Sequence, residues 1–103
     1  MFQISFYVPP NDAELVKSAM FEAGAGSANN YSHCAWQTKG VGQFMPIQGA
    51  KPSIGKRHHL ETLPELKIEM ACADECIDEV VSAMKASHPY EEVAYSVLKM
   101  VNK

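Results

Sequence analysis

Twice along this chain a run of alternating apolar and polar residues gives way to one whose apolar residues recur at helical spacing. Few small folds accommodate that sequence of periods. Phe2, Ile4, Phe6 and Val8 alternate with Gln3, Ser5 and Tyr7, the pattern of a half-buried strand. Pro9-Pro10 ends it, because neither proline can donate to a ladder. Asn11 is placed to cap the next helix, with Glu14 as its reciprocal partner, and Leu15, Val16, Ala19, Met20 and Ala23 share one helical face. Gly24-Ala25-Gly26 stops that helix through a left-handed glycine.

The second switch comes later. Leu66, Ile68, Met70 and Cys72 alternate with Glu65, Lys67 and Glu69; Asp74 then opens a helix with Ile77, Val80, Val81 and Met84 on one side. Pro89 disfavours helical geometry at His88, so this helix ends near Ser87. Between the two units, 30–38 and 41–47 read as strands joined by a turn at Lys39-Gly40. Residues 48–63, with Gly49, Pro52 and Gly55, read as a loop. Residues 93–101 form the last strand, with a bulge expected where the alternation slips between Val97 and Leu98.

Two strand–helix–strand units predict an α+β, ferredoxin-like (split βαβ) sandwich, one antiparallel sheet carrying both helices on one face. With 103 residues, the chain forms a single domain over 1–103. Tyr7, Trp36, Phe44 and Tyr95 are too many aromatics to leave wet on the other face, which predicts a homo-oligomer.

A net charge of -3 and scattered basic residues give no basic face, so nucleic acid is not an expected partner. No run is long and apolar enough to span a membrane, and Met1 leads straight into a strand without a signal-peptide pattern. The three cysteines, Cys34, Cys72 and Cys76, leave one unpaired in any monomeric scheme; reduced thiols in a cytoplasmic protein are expected.

Several pieces of the chain, taken in order, carry a family likeness: Gly24-Ala25-Gly26, Asn30-Tyr31-Ser32-His33-Cys34-Ala35-Trp36, Gly40-Val41-Gly42-Gln43-Phe44, Pro52-Ser53-Ile54-Gly55, Leu60-Glu61 and His88-Pro89-Tyr90-Glu91-Glu92-Val93-Ala94-Tyr95. The set resembles the YqfO-type domain found inserted in many proteins of the NGG-interacting factor three (Nif-three-like) family. That domain is similar in fold to CutA and the PII signalling proteins, and the likeness to CutA is strongest at His88-Pro89-Tyr90-Glu91. The resemblance implies a trimer with sheets facing a central core and clefts between neighbours. In the longer family members, flanking segments carry a dinuclear metal site. Those segments have no counterpart in these 103 residues, so that activity is not carried over. The chain also has Gly26-Ser27-Ala28-Asn29 where the family usually has glycine-histidine-isoleucine-glycine, which removes one candidate donor from that loop.

The candidate chemistry gathers in two clusters. At 88–92, His88 with Glu91 or Glu92 supplies nitrogen and oxygen donors for a ligand or metal; alternatively His88 and Pro89 end the helix and Tyr90 packs on the core. In the upstream cluster His33 and Cys34 point to opposite sides of a strand, which argues against a shared ion or a nucleophile pair and makes Cys34 a small core residue. His58-His59 reads as exposed loop, and Cys72 and Cys76 as packing residues.

The leading expectation is therefore a non-catalytic, PII/CutA-like oligomer binding a small ligand or a protein partner at subunit clefts, through His33, Tyr90 and Glu92. A second has a divalent cation, zinc or copper, held by His33, His88 and Glu91. A third is a small enzyme, for which no residue stands out.

Overall fold

The computed structural model describes all residues from Met1 to Lys103. Strand β1 (Phe2–Val8) is followed by a 3-10 turn at Pro10–Asp12 and helix α1 (Ala13–Glu22). Strands β2 (Trp36–Phe44) and β3 (Glu61–Cys72) come next, then a 3-10 turn at Asp74–Cys76, helix α2 (Ile77–Ser87) and strand β4 (Tyr95–Lys99). The sheet is antiparallel throughout, with strand order β2-β3-β1-β4. With both helices against it, this is the expected ferredoxin-like sandwich.

Register decides which side chains the helices cover. Ile4 faces Met70 and Phe6 faces Ile68, so the apolar sets of β1 and β3 fall on the same side. There they meet Val16 and Met20 of α1 and Val80 and Met84 of α2 in one fully buried cluster. Each large side chain so buried is worth about 1.5–3 kcal/mol of transfer free energy.

The glycine stop forms as expected, in detail. Gly24 N–H donates to the Phe21 carbonyl and Ala25 N–H to that of Met20, while Gly24 takes φ +115°. This is the Schellman pattern, with Met20 and Ala25 both buried beside it. The capping box does not form: α1 starts after the Pro10–Asp12 turn, and its N-cap Asp12 makes no side-chain capping bond.

Other departures have a common cause, the pairing of long strands. The stretches expected as two strands with a Lys39-Gly40 turn are one strand, because Lys39 and Gly40 pair without interruption with Leu66 and Glu65. Residues 30–35 are not strand; Asn29 and His33 adopt left-handed φ values of 52° and 58° in a tight loop. That loop is tethered by Gly26 N–H to the Ala71 carbonyl and by Cys34 N–H to that of Gly26, leaving Cys34 exposed and not in the core. β3 begins at Glu61, within the expected loop. Pro64 is tolerated because β3 reaches its last β1 partner at Leu66, leaving Pro64 paired on one side only, with Val41. β4 is shorter than expected and pairs evenly from Tyr95 to Lys99, so no bulge interrupts it.

Beyond Val8 the β2–β3 pair continues alone as a two-stranded ribbon, which accounts for an elongated molecule of 46 × 25 × 24 Å. On the sheet's uncovered side, register groups Tyr7, Trp36, Phe44 and Leu98 with Ser5, Glu65, Lys67 and Glu69. Tyr95, expected there, instead pairs with Phe6 on the helix side, where Lys85 of α2 lies 4.9 Å from its ring centre.

Candidate functional site: the groove beside the ribbon

The segment that follows α2 is shaped by its proline. His88 takes extended φ/ψ of -77° and 140°, as a residue before proline prefers, and its N–H still closes the helix onto the Met84 carbonyl. This turns the imidazole inward, to 7% exposure. The Tyr90 backbone N–H donates to Nδ1 at 3.1 Å, so Nδ1 must be the acceptor. The ring proton therefore sits on Nε2, which donates to the Tyr7 carbonyl at 2.7 Å. Both ring nitrogens are in use, and His88 has no free lone pair for a metal.

Tyr90, with its ring 4.8 Å from that of His88, reaches past the end of β1 toward β3. Its hydroxyl donates to Glu65 Oε2 at 2.8 Å. Burial, and next the Glu65 carboxylate, push the Tyr90 phenol well above its ordinary range, so it stays protonated. The other Glu65 oxygen lies directly over Gly42, where an added Cβ would come within 1.7 Å of Oε1. Next in the chain after Tyr90, Glu91 accepts the Lys51 backbone N–H on Oε2 at 2.9 Å, fastening the β2–β3 loop to the post-helix turn.

Between these parts runs an open groove of about 470 Å³. It is lined by Tyr7, Gly42 and Glu65 of the sheet, by Tyr90, Glu91 and Glu92 of the post-helix turn, and by the apolar ribbon tip and loop, including Phe44, Met45, Ile47 and Ile54.

Of the residues expected to bind a ligand, Tyr90 and Glu92 line this groove and His33 does not. His33 is exposed, its Nδ1 2.9 Å from Ser32 Oγ and its ring against Phe21. It belongs to the loop tied to Ala71, which pairs with Gln3, whereas His88 is bonded at Tyr7. Four residues of β1 separate those levels, roughly 13 Å of strand. His33, His88 and Glu91 therefore do not converge within one chain, and no group of three or more His, Cys, Asp or Glu is placed to hold a metal ion. Cys72 is buried, and burial followed by the neighbouring Cys76 pushes its thiol up, away from reactive thiolate.

Sequence reasoning missed Tyr7, Gly42 and Glu65 as site residues. Tyr7 and Glu65 were signalled only by the alternation that placed them on the uncovered face, and Gly42 only by its place in the Gly40–Phe44 motif.

Comparison with known proteins bears on the same fold. No family model matches the chain. It is 43% identical over 95 residues to a GTP cyclohydrolase 1 type 2 homolog of Bacillus subtilis, covering 92% of this chain and 26% of that protein. The homolog from Mycobacterium tuberculosis matches equally, at 43% identity over 92% of this chain and 25% of its own length. A solved Bacillus cereus protein related to NIF3 superposes with a TM-score of 0.84 at 38% identity, over 98% of this chain and 26% of that one. The chain is homologous to one segment of the NIF3-related proteins. It spans about a quarter of the length of the curated relatives it matches. CutA from Archaeoglobus fulgidus shares the fold alone, with a TM-score of 0.70 at 17% identity over 100% of this chain and 87% of that one. No helix of the chain is long and apolar enough to cross a membrane.

Proposed function

We propose that this chain is a non-catalytic, oligomeric ligand-binding module, in which copies associate through the uncovered sheet face and a small ligand occupies the groove beside the ribbon. The observation that carries the reading is the continuity of the two surfaces. Tyr7, Gly42, Phe44 and Glu65 belong both to the groove and to the uncovered face, so a neighbour seated on that face completes the groove as a cleft. Trp36, 67% exposed, and Leu98, 58% exposed, supply apolar anchors for such a neighbour.

The groove's own chemistry supports binding over catalysis. The Tyr90 phenol is held protonated as a donor to Glu65, which leaves no activated nucleophile there. Relatives carry GTP in their name, yet the groove's charged side chains are all carboxylates, Glu65, Glu91 and Glu92, a poor match for a triphosphate. Native mass spectrometry of gently purified protein tests the reading by reporting assembly and retained small molecules together. A defined oligomer is expected, a trimer being the form that the family resemblance in the sequence implies. A clean 11.3 kDa monomer at micromolar concentration is the result that overturns it.

A further inference from the structure

Resting on the reading of the groove as a ligand site, we propose that it selects a small organic cation, a guanidinium or ammonium group carried on an aliphatic or aromatic body. Three carboxylates line the groove and none of its lining residues is Lys, Arg or His. Around them stands a largely apolar wall that includes Phe44, Met45, Ile47 and Ile54. Among the lining side chains an anion finds no positive partner; the cations that flank the groove stand outside its lining, Arg57 bonded to the Ala50 carbonyl and Lys39 and Lys67 beside Gly42 and Glu65. A purely apolar molecule strips water from carboxylates and gives them no partner in return. A cation with an apolar body satisfies both surfaces at once, and a guanidinium can do so with two parallel hydrogen bonds to one carboxylate.

Glu65 is set for this before any ligand arrives. The Tyr90 hydroxyl holds Oε2, and the absence of a side chain at Gly42 gives Oε1 its room. A carboxylate fixed in this way loses little freedom on binding. The bond from Lys51 N–H to Glu91 fixes the β2–β3 loop against the post-helix turn, so the groove exists in the free protein. A volume of about 470 Å³ lies within the usual range for small-molecule sites.

The test is a titration of the isotopically labelled full chain with agmatine, an alkyl guanidinium, and separately with ATP, followed by backbone amide shifts and calorimetry. Agmatine is expected to move the amides of Gly42, Glu65, Tyr90 and Glu91 and to bind more weakly as salt is added. Glu65→Gln, which keeps an acceptor for Tyr90, should weaken agmatine by about tenfold or more. Its unchanged spectrum away from the groove shows that it folds. Equal agmatine affinity in Glu65→Gln overturns the inference. ATP moving these amides while agmatine does not overturns it too, and leaves the groove standing as a ligand site. Amides that respond to neither probe at millimolar concentration overturn the cation inference and count against the ligand-site reading as well, while the oligomer measurement stands apart from both.

Discussion

The imidazole of His88 joins three parts of the chain: the end of α2, the Tyr7 carbonyl on β1 and the Tyr90 amide. The sequence offered a helix-ending residue and a metal ligand as alternatives, and burial with both nitrogens bonded favours the first. His88→Ala strands two part-buried polar partners and opens a cavity beside Phe6, so it should cost about 3 kcal/mol in urea unfolding. A loss under about 1 kcal/mol would show that the bonds are replaced by water. Tyr90 makes a prediction at the other end of the pH scale. Its folded pKa lies above the ordinary value of 10.0, so its contribution to stability is complete below about pH 10 and lost as pH rises toward the folded value. Of the four tyrosines it should ionise last in a phenolate absorbance titration, and Glu65→Gln should bring it earlier. A last transition indifferent to that substitution would remove Glu65 from the account.

At the scale of elements, two glycines separate turn chemistry from composition. Gly26 has φ +78°, and a Cβ there would lie 2.7 Å from the Phe21 ring and 2.9 Å from the Cys34 carbonyl oxygen. Gly40 sits in mid-strand with nothing within 4 Å of the same position. Gly26→Ala should therefore lower stability by about 2 kcal/mol or more, and Gly40→Ala should change it by less than about 0.5 kcal/mol, in thermal or urea unfolding. Equal effects would mean that the backbone at Gly26 relaxes freely. The same contrast explains where element boundaries were legible. The stop at Gly24 and the end of α2 before Pro89 depend on local stereochemistry and were read correctly. The Lys39-Gly40 turn and the bulge near Leu98 were misread because pairing with a partner strand, absent from any local window, fixes both as regular strand.

For the whole molecule, the prediction concerns the uncovered sheet face. Trp36→Glu and Leu98→Asp change exposed residues on that face, so each should shift the assembly toward monomer in light scattering while leaving the circular dichroism spectrum intact. An unchanged mass in both would place the interface elsewhere. The groove was the least legible part. It is built from Tyr7, from the ribbon at 42–47, from Glu65 and from the turn at 90–92, segments brought together only by strand register and by the Lys51–Glu91 bond. His33 was grouped with His88 because both lie in polar clusters, and the length of β1 keeps them apart. By itself the sequence determined the strands of the core, both helices, their stops and the ferredoxin-like order, because periodicity and the stereochemistry of glycine and proline act over a few residues. Tertiary structure alone decided which carboxylates line the groove, where Tyr90 finds its acceptor and which histidine is buried, because those follow from pairing across the sheet.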